Sequence, residues 1–246
     1  MPVKIIRRTQ MRLAVNIDHF ATLREARKST EPEPVLTALL AEQAGAEGIV
    51  CHIRSDRRHI KERDLYLLRQ TIKTKLNIEM AATDEMKKIA LDVKPDVVSL
   101  VPEKTDELTT EGGLNVISNQ SHLKKHIKAL HDAGIRVSIF VDPDPAQIDA
   151  CKAVGVDLIE INTAEYSELK PGAARDKALD KVRRAAEHGF GLGLEIHAGH
   201  GLDYRNVGPM AEIPEFTEFS IGFAIVARAA IVGIEESVSE MAILIE

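Results

Sequence analysis

Residues 134–163 read GIRVSIFVDPDPAQIDACKAVGVDLIEINT. An apolar run, VSIFV, breaks off at Asp142, and a helical stretch over Ala146–Val154 then stops at Gly155. A second apolar run, LIEINT, follows with almost no joint. A glycine after a helix supplies the left-handed cap, and the chain turns straight into the next strand. Strand, helix, short joint and strand make one βα unit, so the two strands run parallel.

The same unit recurs along the chain. Apolar runs end in LAVNIDH, GIVCHIR, LNIEM, VVSLVPEK, VSIFVDPD, LIEINT, GLEIHAGHG and FSIGFA. Helical spacing predicts helices over 34–44, 62–72, 83–93, 121–133, 146–154, 173–188 and 235–244. Gly45, Gly134, Gly155 and Gly189 are read as the caps that lead into strands. Eight such units predict an α/β chain closed into a single (β/α)8 TIM barrel with short extra helices. The 246 residues match the about 250 of one such barrel. Residues 1–12 are expected to be an N-terminal extension and 13–246 the catalytic barrel. Polar side chains stop nearly every run at the same end, where a parallel barrel builds its active site.

Composition narrows the function classes. Apolar residues make up 44%, which argues against disorder, and aromatics only 4%, which argues against a β-sandwich. A net charge of −6 gives no pull toward nucleic acid or anionic membrane, and no apolar run reaches the roughly 20 residues of a membrane span. Cys51 and Cys151 are isolated in sequence, so no zinc motif is expected and a reduced cytoplasmic protein is the plain reading.

Period-two alternation turns Asn16 into the barrel and puts His52 and Arg54 on one side of their strand. Asp18 and His19 sit on the rim, where they would bind ligand hydroxyls or, in the blander reading, cap a helix. His52 at a strand end could act as acid or base, and the Arg54 fork suits phosphate. The run around it, SDRRHIKERD, reads as a solvated face. Glu79 in a barrel mouth needs a partner or a task and is read as a general base. Glu195, His197 and His200 end the seventh run, where Gly199 and Gly201 let backbone approach a ligand. Gly222 opens a short helix whose N–H groups favour anions. The long connection 102–120, with Thr109-Thr110-Glu111-Gly112-Gly113, is expected to be a lid. A metal site among His19, His52, His197 and His200 lacks the paired histidines of barrel metallohydrolases, and no lysine sits where a Schiff base would form; Lys104 comes nearest.

Taken together, VNIDHFATLREAR, HIRSDRRHI, NIEMA, LVPEK with TTEGGL, AGHGL and IGFAIVARA resemble the pyridoxine 5′-phosphate synthase family from about Leu13 to the C-terminus. The resemblance implies condensation of 1-deoxy-D-xylulose 5-phosphate with 3-amino-2-oxopropyl phosphate, no metal or organic cofactor, and a homo-octamer. It implies His52 and Glu79 as proton acceptors and His200 as donor. Asp18, His19, Arg27, Arg54, His59 and Thr109 would hold the deoxyxylulose phosphate, and Asn16, Gly201, Gly222 and Phe223 the aminoketone phosphate. The family's Gly-His is Gly222-Phe223 here, a lost donor for which His197 is expected to compensate, and Asn162-Thr163-Ala164 replaces a usual His-Thr-Gly. The alternatives are a diverged barrel that binds a phosphorylated metabolite without turnover, and another sugar-phosphate lyase or isomerase.

Overall fold

The computed structural model describes residues 11–103 and 112–246. Its strands are β1 Arg12–Asn16, β2 Gly48–His52, β3 Lys75–Met80, β4 Val97–Leu100, β5 Arg136–Val141, β6 Leu158–Asn162, β7 Glu195–Gly199 and β8 Phe216–Ile221. Each pairs in parallel with the next, and β8 returns to β1, so the sheet is a closed barrel. The helices are α1 Asp18–Arg27, α2 Pro34–Gln43, α3 Glu62–Thr71, α4 Asp84–Val93, α5 Val116–Asp132, α6 Pro145–Val154, α7 Ala164–Glu168, α8 Ala173–Gly191, α9 Val207–Ala211, α10 Phe223–Val232 and α11 Ile234–Ile245. Among the described residues, no helix is long and apolar enough to cross a membrane.

Local chemistry explains most boundaries. Thr83 caps α4 by accepting from Met86 N at 3.3 Å, and Asp144 caps α6 by accepting from Ala146 N at 3.0 Å. Gly45, Gly134 and Gly155 take φ of 108°, 79° and 90°, the left-handed turns expected of them. Gly189 does not. The helix runs past it to Gly191, and its missing side chain instead lets Ile196 and Ile159 pack; a Cβ would meet Ile196 Cδ1 at 2.8 Å. The turn into β7 falls to Gly193, φ 76°, so the Gly191–Gly193 stretch precedes the strand rather than lying in it. Helix α5 starts five residues before the expected Ser121, because Asn115 caps it and Gln147 Oε1 accepts from Val116 N at 2.9 Å. A cap from a neighbouring helix outweighs the weak helix propensity of Val-Ile-Ser-Asn.

The apolar core lies between barrel and helices. Leu13, Val15, Ile17, Ile49, Cys51, Ile53, Leu76, Ile78 and Met80 point outward and are buried against helical side chains such as Leu65 and Leu68. The inward faces are polar at their amino ends, where branched apolar layers are the norm. Arg12 pairs with Glu195 at 2.6 Å and Glu218 at 3.1 Å, Lys75 pairs with Glu218, and Arg136 with Glu195 at 2.8 Å. Buried charge of this kind persists only when each member is partnered, and Glu218 stays ionised because His197 and Lys75 overcome the effect of its burial.

Candidate active site

The inward residues at the carboxyl ends of the strands open into a cleft of ≈ 960 Å³. Asn16, His52, Glu79 and Glu160 line its floor, with Arg54, His59, His200 and Gly222 around it. Strand parity sets this order: His52 pairs in register with Glu79, so two adjacent strands deliver an imidazole and a carboxyl at one level. His52 Nδ1 lies 3.8 Å from Glu79 Oε2. Its backbone N–H donates to Asp18 Oδ1 at 2.7 Å, and Asn16 Nδ2 donates to Asp18 Oδ2 at 3.1 Å and reaches Glu79 Oε2 at 3.5 Å. Asp18 thus opens α1 without capping it, and its carboxylate stitches β1 to β2.

The electrostatics follow from burial. Glu79 is raised well above the ordinary carboxyl range, first by desolvation and then by the charges of Glu160 and Asp18. Glu160 is pushed up to about 8 by burial and by Glu218, with Lys75 opposing. Burial thus favours the protonated form of both floor acids. His59 is lowered by burial, against the pull of Asp18, and its Nδ1 accepts from Ile60 N at 2.8 Å, so the ring carries its proton on Nε2. Asp18, His52 and Glu79 bring ligand-type atoms within 4.8 Å of one another. Asp18 is already engaged with His52 N and Asn16, and a protonated Glu79 is a poor cation ligand, so the donor set suits proton transfer better than a metal.

On the opposite wall, the single hydroxyl proton of Thr163 is shared between Gly199 O at 2.9 Å and His200 O at 2.7 Å. These bonds hold His200 at φ 77°, an unusual conformation for a residue with a side chain. The ring stands 6.0 Å from Phe140. At Gly199 a Cβ would collide with the Glu160 carboxylate as it stands, and at Gly222 a Cβ would press on Asn16, 3.0 Å from its Cβ. Gly222 is the N-cap of α10, as expected.

Nearly all the expected site residues meet in this cleft: Asn16, Asp18, His19, His52, Arg54, His59, Glu79, His200, Gly201, Gly222 and Phe223 line it. Among the described residues, Arg54 Nε is buried without a hydrogen bond, with Asp56 at 4.0 Å, and so presents a charged donor to the cleft. Its neighbours behave as a solvated face: Arg57 pairs with Glu62 and Glu85, and Arg58 with Asp56. Phe223 is 70% exposed and stands edge-on to His19, ring centroids 5.4 Å apart.

Several expectations need correction. Arg27 is exposed at the end of α1, outside the residues that line the cleft, and its expected phosphate contact is left as a proposal; the arginine that turns inward from α1 is Arg24, bound to Asp64 at 2.7 Å. His197 does not replace the missing phosphate donor. It is buried below the floor, between Glu195 at 3.0 Å and Glu218 at 3.5 Å. Gly113 is pinned rather than loose, donating to Asp142 Oδ1 at 2.9 Å. The connection after β4 is also shorter than expected, since α5 begins at Val116. Thr109, Lys104 and the middle of the expected lid lie outside the described residues. Glu160 was missed, although its parity with Asn162 in LIEINT places both inward. Glu103 was read as part of the lid, yet it contacts His52.

Acids, bases and a buried arginine donor gathered at the carboxyl mouth of a closed parallel barrel are the arrangement of a (β/α)8 enzyme. The chain belongs to the family described as pyridoxal phosphate biosynthesis protein PdxJ, which it matches over residues 13–246. It is 56% identical over 229 residues to the pyridoxine 5′-phosphate synthase of Syntrophotalea carbinolica, covering 93% of this chain and 96% of that protein. It is 52% identical over 236 residues to the synthase of Chlorobium phaeobacteroides, covering 96% and 100%. Among solved structures, it resembles a thiamine phosphate pyrophosphorylase from Pyrococcus furiosus with a TM-score of 0.64 at 16% identity, covering 97% of this chain and 96% of that one. At that identity the likeness speaks to the barrel alone.

Proposed function

We propose that this chain condenses 1-deoxy-D-xylulose 5-phosphate with 3-amino-2-oxopropyl phosphate to form pyridoxine 5′-phosphate, releasing phosphate and water. The observation that carries the reading is the convergence of His52, Glu79 and His200 on one cleft that also holds Arg54. An amine adds to a ketone, water leaves to give an imine, and tautomerisation gives an enamine. Phosphate then departs, water adds and is lost, and an aldol-type closure followed by loss of a further water completes the aromatic ring. Each step moves a proton, so one fixed base does not suffice. His52 accepts protons in this scheme, Glu79 gives up its resting proton to the reacting groups and accepts one in a later step, and His200 donates from the facing wall. The neutral Glu160 beside them keeps negative charge off the floor until a proton must be shared.

Two anionic substrates require two anion sites. Arg54 and His59 with Asp18 and His19 form the side suited to the deoxyxylulose phosphate, to which Arg27 and Thr109 are also assigned. Asn16, Gly201 and the Gly222 start of α10 form the side suited to the aminoketone phosphate, where Phe223 supplies bulk but no donor. The protein acts in the cytoplasm as a homo-octamer in this reading, with residues 13–246 as its catalytic domain. Purified protein given both phosphates and a chelator should form pyridoxine 5′-phosphate and release phosphate in step. No product, with deoxyxylulose phosphate still bound, would instead support a barrel that binds without turnover, the reading that Phe223 favours.

A further inference from the structure

The carboxylate of Glu103 lies at the join between the loops after β2 and β4. Oε2 accepts from Ser55 N at 3.0 Å and Ser55 Oγ at 2.7 Å, and Oε1 lies 3.1 Å from His52 Nε2. The side chain is 4% exposed. The rest of the imidazole's surroundings is fixed as well. Glu79 faces Nδ1 from β3, Asp18 holds the backbone N–H from α1, and the His59 ring stands 6.1 Å away, with Arg54 two residues on.

We propose that Glu103 is the positioning residue that sets the tautomer of His52, holding the proton on Nε2 so that the Nδ1 lone pair faces Glu79 and the cleft. The inference rests on His52 being a proton acceptor in the reaction. An ionised carboxylate can only accept hydrogen bonds, so the nitrogen opposite Oε1 carries the hydrogen. Burial alone would raise Glu103, but the hydrogen bonds from His52 and Ser55 overcome it and hold the carboxyl at about 2, ionised at any working pH. The same carboxylate stabilises the imidazolium formed when Nδ1 takes a proton. Orientation of a catalytic imidazole by a buried carboxylate is a recurring device, and its amide replacement costs up to about 10⁴-fold where the tautomer is lost.

The test is Glu103→Gln, read by ¹⁵N NMR of His52 in the full-length protein and by steady-state kinetics. The expected result is a shift of the neutral ring from the Nε2–H form toward Nδ1–H. With it, kcat should fall about 10²–10⁴-fold, KM for deoxyxylulose phosphate should change little, and the acidic limb of kcat should move to lower pH as the imidazolium loses its counter-charge. Ser55→Ala, which frees Glu103 from the other side, should give the same changes in weaker form and covers the case that Glu103→Gln does not fold. An unchanged tautomer in the folded variants overturns the proposal whatever happens to kcat, and so does an unchanged kcat. His52→Gln separates the two ideas. If it turns over normally, the acceptor role of His52 fails, while the tautomer measurement still reports whether Glu103 sets the ring.

Discussion

Replacing Glu160 by Gln should stabilise the protein in a pH-dependent way. In the folded chain, burial and the charge of Glu218 push this carboxyl up to about 8, from an ordinary value of 4.5. The folded state therefore keeps a proton that the unfolded state gives up between those two values, and stability falls as pH rises through that window. Each pH unit is worth ~1.4 kcal/mol, so wild type should lose ~3 kcal/mol relative to Glu160→Gln between pH 4.5 and about pH 7. The gap is closed below pH 4.5 and stops widening above about 8. For a chain of this size, ~3 kcal/mol moves Tm by roughly 10 °C. Thermal unfolding of both proteins at fixed concentration, across a pH series, reads the effect directly. A gap that does not change with pH, or one in which wild type gains on the variant as pH rises, would refute the reasoning. Glu160 would then be ionised in the fold, held by Lys75 more strongly than its burial opposes.

Arg54→Ala should raise KM for deoxyxylulose phosphate about 10–100-fold, the value of charged hydrogen bonds to a phosphate, while kcat changes less; an unchanged KM would place the phosphate elsewhere. Phe223→His should tighten the aminoketone phosphate about 2–10-fold by restoring one neutral donor at the start of α10. Apparent affinity that stays the same or weakens would show a pocket rebuilt around the aromatic ring.

The fold was legible because both of its signals are local. Period-two runs and the glycines at 45, 134 and 155 lie within a few residues of the turns they dictate. The same locality explains why strand parity could turn Asn16 into the barrel and put His52 and Arg54 on one side of their strand. Gly189 failed as a cap because its sequence context is that of a turn, whereas its cause is packing against Ile196 and Ile159 on two strands. The polar layer beneath the site was hidden for a related reason: Arg12 finds Glu195 and Glu218 at separations of 183 and 206 residues. His197 therefore looked like a free imidazole near the active site, when its two carboxylate partners hold it below the floor. Glu160 was the avoidable miss, since the parity rule that turned Asn16 inward applies equally to LIEINT. Glu103 was not readable, because its meaning depends on Ser55 and His52 across the mouth of the barrel.

The central claim is that the buried acid–base floor performs ring closure and does not merely shape a binding pocket. Its most direct test is Glu79→Gln, with deoxyxylulose phosphate binding and pyridoxine 5′-phosphate formation measured on the same preparation. Binding close to wild type with product formation abolished is the predicted result. Turnover at the wild-type rate would remove Glu79 from the chemistry and contradict the account.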